Sequence, residues 1–158
     1  MKQNTFESID GRRLKMAIVA ARFNEAYTDA MVDDCVEAFE ACGIPLHESY
    51  IVRVPGSFEL PVMAEELAQQ KKFDAIVRIG VVIKGETTHD HYIADAVSHG
   101  LVDIGMRYHL PVVFGVLTTQ NKEQTEVRSI GGGKKGWEAG MTAVEMALLL
   151  KKIRAEKV

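Results

Sequence analysis

The stretch FDAIVRIGVVIKGETTHDHYIADAVSHG, residues 73–100, decides the fold of this chain. Its first part, Ala75–Ile83, is an almost unbroken apolar run rich in β-branched residues, which is typical of a strand buried on both faces of a parallel sheet. Gly85 then allows a turn without a steric penalty, and the hydroxyl of Thr87 or Thr88 can cap a helix. Apolar residues follow at helical spacing, at Ile93, Val97, Leu101 and Ile104. The stretch therefore predicts a strand, a glycine turn and a helix.

The start of that helix is a predicted anion site. Free N–H groups and the positive end of the helix dipole attract an anion there, and His89 stands in the first turn. In open α/β sheets small ligands bind at the carboxyl ends of the strands, where this turn lies. A bound phosphate would favour the protonated imidazole, so general acid–base work by His89 is chemically reasonable. The alternative interpretation is an ordinary turn between strand and helix with a polar helix start.

The flanking sequence alternates between short apolar runs and helical patterns. Strands are predicted over residues 15–21, 48–54, 75–83 and 110–118. Thr28 or Asp29 is expected to cap the first helix, and Thr118 or Thr119 the helix that follows the last strand. This alternation predicts one parallel sheet with right-handed crossovers and helices on both faces.

Size, composition and charge narrow the possible classes of protein. The 158 residues are 47% hydrophobic and 26% charged, as in a globular domain, and we expect one domain over residues 1–158, with residues 1–14 as an arm or edge strand. The net charge of −3 argues against a nucleic-acid partner attracted through its phosphates. No apolar run is long enough to span a membrane, and the N-terminal residues lack the apolar core of a signal peptide, so a cytoplasmic location is expected.

The cysteines and histidines do not predict a metal site. Cys35 and Cys42 lie seven positions apart on one predicted helix, which separates them by about 10 Å along its axis, so we expect two buried thiols rather than a disulfide. His89 and His91 are two positions apart, so their side chains point in different directions on a helix and cannot share an ion.

Further candidate binding residues stand where other predicted strands and helices end. Phe23 and Asn24 follow the first strand directly, and Ser57 lies in a turn after the second strand. Arg128 ends the helix after the fourth strand, and an arginine fork suits a phosphate dianion. Each has a structural alternative, since Phe23 suits a core, Ser57 suits a helix cap and Arg128 suits a solvated helix end.

Taken together, several segments resemble the lumazine synthase family. The matching segments, in order, are ARFN (21–24), VPGSFELP (54–61), GVVIKGETTH (80–89) and PVVFGVLTT (111–119), followed by Glu123-Gln124, Arg128 and Lys135-Gly136. The resemblance implies a three-layer α/β/α sandwich with a four-stranded parallel sheet in the flavodoxin-like order 2-1-3-4. It also implies condensation of 5-amino-6-(D-ribitylamino)uracil with 3,4-dihydroxy-2-butanone 4-phosphate to 6,7-dimethyl-8-ribityllumazine, releasing phosphate and water, without a metal or organic cofactor.

The resemblance also assigns roles to individual residues. His89 matches the proton-transfer residue of the family. The positions implied to bind the pyrimidine and its ribityl chain are Phe23, Asn24, Ser57, Phe58, Glu59, Val81, Val82, Ile83, Phe114 and Lys135. The positions implied to bind the phosphate are Gly85, Glu86, Thr87 and Arg128.

The implied assembly is a homopentamer in which Phe114, Arg128 and Lys135 reach the site from a neighbouring subunit. Many family members pack twelve pentamers into an icosahedral, 60-subunit shell, and an association with riboflavin synthase is also implied. A non-catalytic flavin- or lumazine-binding relative, or a shell-forming relative, is the alternative.

Three features depart from the family pattern. Glu86 places a carboxylate beside the phosphate turn, where an inward side chain would oppose a dianion, so we expect it to point outward. Arg78 interrupts the apolar run of the third strand. The glycine-rich segment 129–134 looks one residue shorter than is common in the family, where this loop influences how pentamers associate.

Overall fold

The computed structural model describes residues 9–156 of the chain. Its strands and main helices are β1 Met16–Ala21, α1 Glu25–Ala41, β2 Ser49–Val54, α2 Leu60–Gln69, β3 Ala75–Ile83, α3 His89–Tyr108, β4 Val112–Thr119, α4 Lys122–Arg128 and α5 Lys135–Glu156. One-turn 3₁₀ helices precede β2 and α2, at Leu46–Glu48 and Ser57–Glu59. The bounds of β3 are as predicted, whereas β4 begins and ends later than the sequence suggested.

The four strands form one parallel sheet in the order β2-β1-β3-β4. This confirms the predicted three-layer α/β/α fold with strand order 2-1-3-4. β3 lies inside the sheet, between β1 and β4, which explains its continuous apolar sequence. An N-terminal arm or edge strand was expected over residues 1–14. Residues 9–14 contain no strand, and residues 1–8 lie outside the described part of the chain.

Each face of the sheet has its own core. Alternate residues of β1 and β3 pack with α1 and α5 on one face and with α2 and α3 on the other. The predicted apolar stripe of α3 lies in the second core, where Val97, Leu101 and Ile104 are buried and Ile93 packs against them. The helix that carries the predicted anion site is thus fixed directly to the sheet.

The helix starts agree with the sequence for α3 but not for α1 and α4. α3 begins at His89 with Thr88 at its N-cap, as predicted, although the threonine side chain makes no cap hydrogen bond. The expected cap at Thr28 or Asp29 is wrong, because Asn24 adopts a left-handed conformation (φ 61°) and starts α1 four residues earlier. The expected cap at Thr118 or Thr119 is also wrong, since Asn121 accepts the N–H of Gln124 at 2.8 Å.

Cys35 and Cys42 are both buried free thiols, as expected. Burial raises the pKa of each thiol, most strongly at Cys35, which is fully enclosed. Neither cysteine is therefore an activated nucleophile.

Arg78 is a buried cation in the middle of the sheet. It is fully buried on β3, and the strand alternation places it on the α2–α3 face with Ile76 and Val82. Its Nε and Nη2 atoms donate to the Val113 carbonyl at 3.4 and 3.0 Å, while Nη1 has no partner among the described residues. Burial lowers the pKa of Arg78 to about 9.

Within residues 9–156, none of the helices combines the length and the apolar character needed to cross a bilayer.

Candidate active site

A cavity of about 410 Å³ lies at the carboxyl edge of β1 and β3, where the sequence predicted the site. The residues that line it come from the ends of these two strands, the turn after β2 and the start of α3. They are Phe23, Gly56, Ser57, Phe58, Glu59, Val81, Val82, Ile83, Gly85, Thr87, His89, Asp90 and Ile93. Most of the predicted binding residues therefore meet in one cavity.

The floor of the cavity is formed by the end of β3. Val81 and Val82 are buried there, and the turn after the strand brings Gly85 and Thr87 to the rim. Gly80 allows the turn after β2 to pack closely on this strand, because a Cβ at position 80 would lie 2.5 Å from the Ser57 Oγ. Ser57 is thereby held at the cavity wall, with a side chain that can donate or accept a hydrogen bond.

The turn after β2 presents polar and aromatic groups together. One carboxylate oxygen of Glu59, Oε2, accepts the Gly56 N–H at 3.0 Å, which fixes the side chain over the turn. Phe58 and Phe23 keep 61% and 69% of their surface exposed, although both line the cavity. Large aromatic side chains left this open beside a cavity are suited to stacking on a flat ring or to burial by another subunit.

Asn24 supports the cavity from behind. Its Nδ2 atom donates to the Val81 carbonyl at 2.9 Å, so it ties the end of β1 to the end of β3. It does not line the cavity itself. Asn24 thus holds two cavity walls together, and its role in binding substrate stays a prediction.

His89 is the first residue of α3 and lines the cavity with an exposed side chain. The N–H groups of the first turn of α3 have no intrahelical acceptors, so an anion bound at this end would lie close to the imidazole. Glu86, which the sequence placed in the phosphate turn, is exposed and is not among the lining residues. The start of α3 thus combines free N–H groups, which suit an anion, with a group that can carry a proton.

Three predicted site residues lie away from this cavity. Phe114 and Lys135 line a separate groove of about 550 Å³ along β4 and α5, where Lys135 pairs with Glu138 at 2.7 Å. Arg128 borders neither space, and its Nη1 donates to the Gln124 carbonyl at 2.9 Å. Within one chain the predicted site residues therefore fall into two groups. One group lies at the cavity with His89, and the other, Phe114, Lys135 and Arg128, lies outside the cavity.

A buried polar network positions the helix that carries Arg128. Thr119 and Thr125 share a hydrogen bond of 2.6 Å between their hydroxyls, and Ser129 donates to the Thr125 carbonyl at 2.7 Å. All three side chains are buried, so α4 is anchored to the end of β4. The guanidinium itself stays exposed on the outer side of this anchored helix.

Sequence reasoning missed Asp90 as a lining residue. The apolar stripe of α3 at 93, 97, 101 and 104 extends back by three positions to 90, so the helical period placed Asp90 on the side of α3 that faces the sheet. Gly56 also lines the cavity, although the sequence predicted it only as part of a turn. Among residues 9–156, no three metal-ligating side chains converge, and the cavity offers hydrogen-bonding and acid–base groups.

The fold and the cavity define a doubly wound α/β enzyme that acts on a small molecule at the carboxyl edge of its sheet. Residues 13–151 match the protein family described as 6,7-dimethyl-8-ribityllumazine synthase. A relative of that name from Aquifex aeolicus (strain VF5) is 43% identical over 142 residues, covering 89% of this chain and 92% of the relative. Another, from Thermococcus onnurineus (strain NA1), is 40% identical over 154 residues, covering 97% of this chain and all of the relative.

The chain therefore belongs to the 6,7-dimethyl-8-ribityllumazine synthase family, whose members are enzymes of riboflavin biosynthesis. The relatives are named as synthases, so a non-catalytic binding or shell protein is not the favoured alternative.

Proposed function

We propose that the cavity at the start of α3 binds 5-amino-6-(D-ribitylamino)uracil and 3,4-dihydroxy-2-butanone 4-phosphate and joins them into 6,7-dimethyl-8-ribityllumazine, with release of phosphate and water. The observation that carries this proposal is the shared cavity, in which His89, the glycine turn and the Ser57–Glu59 turn meet. A cavity of about 410 Å³ is of the size that encloses small-molecule ligands.

The pyrimidine substrate fits the wall formed by β3 and the turn after β2. Backbone groups of Val81, Val82 and Ile83 would read the edge of the ring, and Phe23 would stack on its face. Ser57 and Glu59 would hold the ribityl hydroxyls, and Phe58 would flank them.

The butanone phosphate fits the start of α3. Its dianion would accept backbone N–H groups of the turn at Gly85, Glu86 and Thr87, and the dipole of α3 would add a favourable field. Glu86 is exposed and does not line the cavity, so we expect no opposing carboxylate from this position.

His89 would carry protons between the reacting groups. The 5-amino group attacks the ketone and water leaves, phosphate is then eliminated, and the ribityl-bearing nitrogen closes the second ring with loss of another water. Protonated His89 would assist a departing oxygen, and neutral His89 would take a proton from carbon or nitrogen. Holding two substrates together supplies much of the rate, so loss of His89 slows the reaction without abolishing it.

The distribution of site residues supports a site shared between subunits. The outer edge of β4 is unpaired within residues 9–156, and Phe114 beside it is 45% exposed. A second copy placing its Phe114, Lys135 and Arg128 against the cavity of the first would add an aromatic wall and two cations. This contact would be head-to-tail, and such contacts form a ring when the rotation between copies closes; the family resemblance implies a ring of five.

Exposed apolar side chains on α2 and α3 fit the same arrangement. Val62, Tyr92, Val102 and Met106, on α2 and α3, are between 59% and 72% exposed. Such a surface on one chain is typical of a protein–protein contact. The icosahedral shell, the association with riboflavin synthase and the cytoplasmic location remain predictions from the sequence.

Turnover of both substrates by purified protein tests the reaction. Product absorbance should appear only when both substrates are present, and His89→Ala should lower kcat roughly 10- to 100-fold. His47→Ala is a matched control, because His47 is an exposed histidine outside the cavity, and it should leave kcat unchanged. Folded parent protein that forms no product would contradict the proposal.

Sedimentation tests the assembly separately. Five chains of 17.5 kDa form a particle of about 88 kDa, and sixty form one of about 1050 kDa. A pentamer or a shell would support the shared site. A monomer with full activity would refute it, because Phe114, Arg128 and Lys135 could not then reach the cavity.

A further inference from the structure

The short helix that carries Arg128, α4, is anchored to the sheet through a hydroxyl group. A helix of seven residues has little stability of its own, so its position depends on the contacts it makes with the rest of the fold. Among those seven residues, Thr125 is the one that is buried, and it is fully enclosed. A polar side chain thus occupies the position where a helix usually packs an apolar residue on the sheet.

The Thr125 hydroxyl belongs to a continuous chain of hydrogen bonds. Its Oγ1 atom lies 2.6 Å from the Oγ1 of Thr119, at the end of β4, and 3.1 Å from the Asn121 carbonyl oxygen. Each hydroxyl has one proton, and both hydroxyls are satisfied when Thr119 donates to Thr125 and Thr125 donates to the carbonyl. Hydrogen bonds tolerate a narrow range of distance and angle, so this pair fixes the orientation of α4 more sharply than apolar packing would.

The backbone of Thr119 holds the turn that is proposed to bind phosphate. Ile83 pairs with Thr119 in the register of β3 and β4, and the Thr119 carbonyl accepts the N–H of Lys84 at 2.8 Å. Gly85 follows directly in the chain. One residue at the end of β4 therefore contacts both the turn of its own cavity, through its carbonyl, and the helix that carries Arg128, through its hydroxyl.

We propose that Thr125 is a positioning residue, which together with Thr119 sets the place of the Arg128 guanidinium. This inference rests on the proposed function, in which Arg128 completes the phosphate site of a neighbouring subunit. The guanidinium is exposed and its Nη1 donates to the Gln124 carbonyl of the same helix at 2.9 Å, so its place follows the orientation of α4. Arginine and phosphate pair best in a fixed geometry with two parallel hydrogen bonds, so a small rotation of α4 would weaken the pair.

Two substitutions at position 125 separate the hydroxyl from the methyl group. Thr125→Val keeps the shape and removes the hydroxyl, whereas Thr125→Ser keeps the hydroxyl and removes the methyl. In the valine variant the KM for the butanone phosphate should rise roughly 3- to 10-fold, less than the roughly 10- to 100-fold expected for Arg128→Ala, because a displaced cation keeps part of its attraction. The kcat and the KM for the pyrimidine should stay within about twofold, since only binding of the phosphate is weakened.

The serine variant should resemble the parent in all three constants. Thr28→Val is the matched control, because Thr28 is a buried helix threonine whose hydroxyl donates to the Glu25 carbonyl of its own helix at 3.3 Å. It removes a buried hydroxyl from α1 without touching α4, so the KM for the butanone phosphate should not change.

A double-mutant cycle distinguishes positioning of Arg128 from a general loosening of the fold. In an Arg128→Ala background no guanidinium is left to position, so adding Thr125→Val should leave the KM for the butanone phosphate unchanged. If loss of the hydroxyl loosened the end of β4, the turn held by Thr119 would also move, and the KM would rise further in that background. Thr119→Val combined with Thr125→Val leaves neither hydroxyl of the pair without its partner, so this variant should keep the stability of the parent and still show the raised KM.

Several results would overturn the inference. An unchanged KM for the butanone phosphate in Thr125→Val would do so, as would equal rises in the valine and serine variants, or a further rise in the Arg128→Ala background. Parent protein without turnover would contradict the proposed function instead. Binding of inorganic phosphate, measured by calorimetry, would then still decide the inference, because the valine variant should bind it more weakly than the parent and the serine variant as tightly as the parent.

Discussion

Replacement of the buried arginine by methionine, Arg78→Met, should make the protein more stable. Burial lowers the pKa of Arg78 to about 9, well below the ordinary value for arginine, and at about 1.4 kcal/mol for each pH unit this corresponds to a cost on the order of 5 kcal/mol for holding the charge in the core. The hydrogen bonds to the Val113 carbonyl return roughly 1.5 to 3 kcal/mol. Methionine fills a similar volume without a charge, so the net gain should be about 2 to 3.5 kcal/mol.

Chemical denaturation at one fixed protein concentration measures this gain. The midpoint should move to higher denaturant with an unchanged slope, which reports a change in stability rather than in the unfolded state. Arg53→Met is the control, because Arg53 is partly exposed and pairs with Asp29 at 2.7 Å, so its loss should change stability by less than about 1 kcal/mol. A methionine variant less stable than the parent would refute the reasoning.

The pH dependence has a definite sign. Below about pH 9 the guanidinium of Arg78 is charged in both the folded and the unfolded chain, so its burial cost is fully present. Above about pH 9 the folded state loses the proton while the unfolded chain still holds it, and the parent recovers stability as the pH rises. The advantage of the methionine variant should therefore be constant from pH 6 to 8 and smaller at pH 10, and an advantage that grows with pH would contradict this assignment.

Three further perturbations test the support of the site and the core. Gly80→Ala places a Cβ 2.5 Å from the Ser57 Oγ, so it should destabilise the fold by roughly 1 to 3 kcal/mol and raise the KM for the pyrimidine, as measured by denaturation and steady-state kinetics. Cys35 and Cys42 should resist a thiol reagent in the native protein at pH 8, because burial raises the pKa of both thiols, and a colorimetric thiol assay measures this. Asn121→Ala removes the cap of α4 and should cost about 1 kcal/mol in thermal or chemical unfolding.

Each of these has a simple comparison. Gly85→Ala has open space around the added Cβ and should leave stability unchanged, in contrast to position 80. The thiols should react fully once denaturant is added, and fast labelling of the native protein would show that the core opens. Asn121→Asp keeps an acceptor oxygen at the cap, so equal losses in the alanine and aspartate variants would show that capping is not the cause.

The sheet and its order could be read from the sequence because its central strand is strongly patterned. Ala75–Ile83 is apolar on both faces, and this is the arrangement that a strand inside a parallel sheet requires. The N-cap of α1 could not be predicted in the same way. Asn24 starts the helix with a left-handed backbone conformation, whereas the sequence offers two better capping residues, Thr28 and Asp29, further along the chain.

The candidate site could be predicted only in part for a physical reason. Residues that follow β1, β2 and β3 meet at one edge of the sheet, so Phe23, Ser57 and His89 could be grouped from topology alone. Phe114, on β4, and Lys135, on α5, line a separate groove, so the topology of one chain does not group them with the cavity. The helical period places Asp90 on the side of α3 that faces the sheet, but only its neighbour His89 was predicted to be a site residue.

The most direct test of the account is a crystal structure of the protein with phosphate and a ligand that resembles the lumazine product. We expect phosphate against the N–H groups of Gly85–Thr87, the imidazole of His89 turned toward the ligand, and Arg128 of a neighbouring subunit on the same phosphate. Phosphate bound away from the start of α3, with the imidazole facing solvent, would contradict the central claim.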